Sequence, residues 1–140
     1  MLLNIFIKSF GIIDQLSIDF QDGFNVLTGE TGSGKSIIID ALQIALGGRP
    51  SADQIRTGAE KAFIQVTFDT GGMKDLALLL ESMGFDSLED PVMVMTREMT
   101  RAGKNICRIN ERAVTLGYYR EVGGRLADMH MQPEDRKSVV

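Results

Sequence analysis

The segment Gly29-Glu-Thr-Gly-Ser-Gly-Lys-Ser36 places three glycines, a lysine and a hydroxyl residue in the spacing G-x-x-x-x-G-K-S. Each residue type has a task there if the ligand is a polyphosphate. Backbone N–H groups must converge on an anion, and glycines let the chain curl that tightly because no Cβ intervenes. A helix starting at Lys35 and Ser36 adds unpaired N–H groups and the positive end of its dipole. Lys35 can reach the β- and γ-phosphates, and the Ser36 hydroxyl can bind Mg²⁺. Gly29, Glu30, Thr31, Gly32, Ser33, Gly34, Lys35 and Ser36 are therefore the expected nucleotide-binding residues. A glycine loop that only turns the chain would leave Lys35 without a task at the head of an apolar helix. A dinucleotide loop does not fit, because Ile37 stands where a third glycine should follow Gly32-x-Gly34.

The flanking pattern supplies the elements such a loop needs. Residues 24–28 form a short apolar run that ends at Gly29, and after Ser36 the helix to Leu46 is apolar except for Asp40 and Gln43. A helix apolar on nearly every side is a buried one. Gly47-Gly48 and Pro50 stop it. Upstream, residues 2–9 read as a strand, residues 15–20 alternate as a half-buried strand does, and Asp22-Gly23 is a turn. Downstream, residues 62–68 alternate again, and residues 74–83 read as a surface helix stopped at Gly84. Residues 91–100 and 105–109 read as strands joined by a turn at 101–104. Residues 116–126 read as a helix despite Gly117, Gly123 and Gly124. The chain is mixed α/β.

With 140 residues, 44% hydrophobic and 24% charged, this is an ordinary globular composition sufficient for one domain. No apolar run reaches the ~20 residues that span a bilayer, and residues 1–10 read as a strand rather than a leader. Cys107 is the only cysteine, so no internal disulfide forms, and one His with one Cys offers no zinc cluster. A reducing cytoplasm is expected. The net charge of −4 argues against a surface that coats nucleic acid throughout. Yet residues 97–125 hold 7 basic side chains against 3 acidic ones. The strand-hairpin from Arg97 to Arg112, with Arg101 and Lys104 at its turn, is where DNA contact is expected if this chain makes any; a solvated, charge-protected edge is the alternative.

The spelling of these motifs resembles one family. Ile7-Lys-Ser-Phe10 with Ile18-Asp-Phe20 looks like the opening strand pair of the structural-maintenance-of-chromosomes and RecN group of ABC-type ATPase heads. Residues 25–42 closely resemble the RecN phosphate-loop segment, and Leu46-Gly-Gly-Arg49 through Gly58 continue that pattern. Arg108-Ile-Asn110 and residues 126–132 sit where RecN has its Ile-Asn-Gly turn and its His-Gly-Gln segment. The resemblance implies a P-loop fold, the N-terminal lobe of an ABC/SMC-type head with a mixed sheet and antiparallel strands over residues 1–132. Residues 133–140 would start the connection to a coiled coil. It implies ATP and Mg²⁺ as ligands and action in DNA double-strand break repair and recombination. It also implies DNA and the rest of the head as partners, a homodimer in the whole protein, and a bacterial, nucleoid-associated setting without membrane contact.

Two more residues acquire roles by this resemblance. Gln132 falls on the glutamine that touches Mg²⁺ or the attacking water; the alternative is an exposed polar loop residue, since Met131 and Pro133 depart from the family spelling. Arg56 falls on an arginine that in related heads lies near nucleotide or DNA, with a solvated role as the alternative; the same alternative stands for Arg49. Asp40 reads as a local cap or ion-pair residue, and His130 as a strand end. No apolar run ends in the Asp-Glu pair that holds Mg²⁺ and polarises water, and no ABC signature or switch histidine occurs. This chain is therefore expected to bind ATP and not to turn it over alone. Two other classes compete: a small P-loop phosphotransferase with residues 97–112 as its lid, and a non-catalytic nucleotide-binding module.

Overall fold

The computed structural model describes residues 2–20, 32–71, 74–84 and 92–127. In chain order these form β1 (Leu2–Phe10), β2 (Ile13–Asp19), α1 (Gly32–Ala45), a short 3₁₀ turn (Ala52–Gln54), β3 (Lys61–Asp69), α2 (Lys74–Ser82), β4 (Val92–Thr100), β5 (Asn105–Ile109), β6 (Arg112–Val114) and α3 (Leu116–Leu126). The six strands make one sheet in the order β2-β1-β3-β4-β5-β6. Each neighbouring pair among them is antiparallel. The apolar run at 24–28, expected as a further strand, lies outside the described residues.

Alternation decides which face is the core. On β3, Ala62, Ile64, Val66 and Phe68 are fully buried, while Lys61, Phe63, Gln65 and Thr67 point the other way. Register carries this division across the sheet, since Ile7 pairs with Ile64, Ile64 with Arg97, and Arg97 with Cys107. A one-residue slip would turn every one of these side chains to the wrong face. α1 packs over β3 and β4 on the core side, α3 covers β5, and α3 also meets α2. The outer face is mixed: Phe6 and Phe63 meet edge-on at 5.9 Å, and Lys61 pairs with Glu98 at 2.9 Å.

The end of β1 is locked by the segment that follows α1. Ser9 has a positive φ of 57°, which turns its carbonyl to accept from the Arg56 N–H at 2.9 Å. Phe10 bridges Ile55, and the Gly11 N–H donates to the Gln54 carbonyl at 2.6 Å. The 3₁₀ turn is held in shape by a reciprocal cap in which Ser51 and Gln54 satisfy each other's backbone N–H groups.

Several sequence expectations shift. α1 begins at Gly32, four residues before the expected start, because the apolar pattern that marks the helix begins only at Ile37. β6 and the 3₁₀ turn go beyond the elements the sequence pattern predicts. The 116–126 helix and the 105–109 strand have the expected bounds.

Candidate nucleotide-binding site

The backbone of Gly32 to Ser36 forms the first turn of α1. The first four N–H groups of a helix have no partner within it, so these amides and the positive end of the helix dipole gather at the phosphate motif. No acidic residue stands in this turn to compete for them. Gly29, Glu30, Thr31 and Gln132 lie outside the described residues, as does His130. Asp40 is exposed on α1, and Arg49 is exposed just beyond it.

The turn between β1 and β2 packs against this end of the helix. A Cβ on Gly11, where φ is +58°, would lie 2.5 Å from Cδ1 of Ile37, the residue that follows Ser36. Arg56 is tied to the same turn: its Nη1 donates to the Ile12 carbonyl at 2.7 Å. Its own carbonyl accepts from Nη2 of Arg101 at 2.9 Å, and Arg101 Nε donates to the Ala59 carbonyl at 2.7 Å. Two of the three cations named for nucleotide or DNA contact, Arg56 and Arg101, are thus brought together, and Arg56 sits by the amino end of α1. Lys104 is separate: its backbone closes the β4–β5 turn through Thr100, and its side chain is exposed.

Arg97 corrects the reading of the basic hairpin. It is fully buried on the core face of β4 and cannot touch DNA. Its Nη1 donates to the carbonyls of Ile44 at 2.8 Å and Gly48 at 3.1 Å, and its Nη2 to Oδ1 of Asn105 at 3.4 Å. The guanidinium carbon lies 5.5 Å from the ring centroid of Tyr119, whose hydroxyl donates to the Ala45 carbonyl. A buried cation without compensation is expensive; here helix carbonyls at the negative end of α1, and an aromatic face, replace water. Burial pushes the Tyr119 phenol far up, with Arg97 pulling weakly the other way. The Cys107 thiol beside them is also raised by burial, again against Arg97. The signal that locates Arg97 is parity: Met93, Met95, Arg97 and Met99 occupy alternate positions of one strand.

A metal must fit what this chain offers. Among the described residues no group of three or more His, Cys, Asp or Glu side chains could hold an ion by itself. Magnesium would fit as the companion of phosphate oxygens, with the Ser36 hydroxyl as a protein donor, which suits an ion that takes few protein ligands. Among the described residues no helix is long and apolar enough to cross a membrane.

The family model described as the AAA domain matches residues 4–115. The chain belongs to this family, and its fold is that of the N-terminal lobe of an ABC/SMC-type ATPase head. A solved structure from work on ATP-driven dimerization and DNA-stimulated activation of SMC ATPases superposes with a TM-score of 0.67 at 22% identity, covering 99% of this chain and 96% of that one. The curated relatives are more specific. The chain is 46% identical over 134 residues to the DNA repair protein RecN of Halalkalibacterium halodurans, covering 96% of this chain and 24% of that protein. It is 40% identical over 136 residues to the DNA repair protein RecN of Bacillus subtilis, covering 97% and 23%. The RecN resemblance read from the motifs therefore extends over nearly the whole chain, which spans about a quarter of the length of these relatives.

Proposed function

We propose that this chain is the ATP-binding lobe of a RecN-like ATPase that acts in DNA double-strand break repair and recombination. The observation that carries the reading is that Gly32 to Ser36, the second part of the G-x-x-x-x-G-K-S motif, form the amino end of α1, a helix packed onto the sheet of an ATPase-head fold. The α1 amides and Lys35 bind the triphosphate, and Ser36 orients the metal. Magnesium, when bound, neutralises charge between the β- and γ-phosphates. Arg56 meets nucleotide or DNA in this reading, which its bonds to Ile12 and Arg101 support.

Turnover needs an acid to hold metal and polarise water, and positioned charge supplies most of phosphoryl-transfer catalysis. This chain binds ATP without hydrolysing it alone. The acid and the ABC signature come from a C-terminal half joined through a coiled coil that starts after residues 133–140, with Gln132 reporting the γ-phosphate. Two heads engage on ATP, on DNA, in the bacterial cytoplasm at the nucleoid. Fold and relatives both favour this over a small phosphotransferase. Lys35→Ala should abolish Mg-ATP binding in calorimetry; unchanged affinity would refute the assignment.

A further inference from the structure

We propose that Arg97 is a positioning residue for the nucleotide site, fixing α1 along its axis so that the phosphate-binding first turn stands at a set height above the sheet. This rests on the reading of residues 29–36 as the phosphate loop. The two ends of α1 are roughly 20 Å apart, at about 1.5 Å of rise per residue. The far end is held by directional contacts. Arg97 bridges the Ile44 and Gly48 carbonyls, Asn105 orients its second nitrogen, and the Tyr119 hydroxyl takes the Ala45 carbonyl between them.

An arginine is a poor choice for stability alone. A buried ion is often replaced by apolar residues of like volume without loss. Arg97 has no carboxylate partner among the described residues, and its Nε finds no acceptor there. What it adds is register. The rest of α1 presents Ala41, Leu42, Ile44 and Ala45 to the core, and apolar packing is non-directional, so it tolerates small sliding and rotation. A planar guanidinium whose Nη1 donates to two carbonyls while Asn105 holds its Nη2 does not. Helix α1 has no basic residue in its own last turn, so this cation reaches it only from the sheet.

The test is Mg-ATP affinity of the full chain by calorimetry, at a temperature where circular dichroism shows each variant folded. Arg97→Met keeps the volume and loses the guanidinium donors; its affinity should fall about tenfold, a typical size for coupling carried through packed elements. Arg97→Lys should recover part of that loss, because an ammonium keeps N–H donors for the carbonyls but has no second nitrogen for Asn105 to orient. A purely structural role would lower the melting temperature and leave the dissociation constant of the folded variant unmoved, and that result overturns the inference. If Arg97→Met does not fold, Tyr119→Phe and Arg97→Lys decide by the same readout: weakened binding supports the proposal and unchanged binding overturns it. Failure of the wild-type chain to bind Mg-ATP would instead overturn the phosphate-loop reading and this inference with it.

Discussion

Gly123 of α3 lies flat against Leu46, so closely that a Cβ on it would sit 1.9 Å from the Leu46 carbonyl oxygen. That oxygen belongs to the backbone, which cannot swing aside as a side-chain tip would. The adjacent Gly124 has nothing within 4 Å of its own Cβ position.

Two neighbouring substitutions should therefore act in opposite directions. Gly123→Ala should lose about 1–3 kcal/mol through overpacking. Gly124→Ala, exposed on the same helix, should gain roughly 0.5–1 kcal/mol from helix propensity. Urea denaturation of the two variants checks both signs.

The β5–β6 turn carries a correctable strain. Asn110 and Glu111 both adopt positive φ, 50° and 72°. Asn110 gains by it, since its backbone N–H donates to the Val94 carbonyl and its Oδ1 accepts from the Val94 N–H, each at 2.9 Å. Glu111 is exposed and bears the left-handed backbone with a full side chain. Glu111→Gly should stabilise by about 0.5–1 kcal/mol after the entropy of the unfolded glycine is subtracted. Asn110→Gly should destabilise by about 1 kcal/mol, because the Val94 amide loses its acceptor. A paired melting experiment distinguishes them.

Alkaline stability should depend on Tyr119. Its phenol is raised in the folded chain from an ordinary value of 10.0, with burial as the main cause. The unfolded chain then releases this proton first as pH rises. The stability so linked is complete below pH 10.0 and drains away above it, toward the higher folded value. Tyr119→Phe should be less stable at neutral pH by roughly 1 kcal/mol for the lost bond to Ala45. It should also show a shallower fall in melting temperature above pH 10, and equal slopes for the two proteins would contradict this account.

The hairpin cations divide by what they touch. Arg101→Ala frees the Ala59 and Arg56 carbonyls at an exposed site and should cost about 0.5–1 kcal/mol. Lys104→Ala should stay within about 0.5 kcal/mol of wild type. If the hairpin meets DNA, Lys104→Glu should weaken binding and flatten its salt dependence with no change in melting temperature. A DNA affinity that does not respond to Lys104→Glu argues for a solvated edge.

The phosphate motif stands out in the sequence because chemistry dictates its spacing, and α3 was legible because its apolar positions outweigh its glycines. The burial of Arg97 is hidden in the sequence, since an arginine in a charged stretch suggests solvent; only strand parity with Met95 and Met99 contradicts that. β6 was hidden by its brevity and by a turn in which Glu111 stands where glycine would announce a hairpin. The link from Arg56 to Ile12 spans 44 positions, and no local pattern encodes such a distance. Helix α1 was placed correctly at its apolar centre and late at its start, because glycine residues carry no periodicity of their own.

The order of the strands leaves β2 and β6 as the outermost members among those described. Among the described residues no further strand lies beside either rim, and a bare rim invites strands to add on from neighbouring molecules. One rim is too short to serve as a template, since β6 has only 3 residues. The other is long enough but bears Asp14 and Asp19, both exposed, so that two copies brought rim to rim would set carboxylates against carboxylates. Growth into fibres is thus discouraged by brevity on one side and by repulsion on the other.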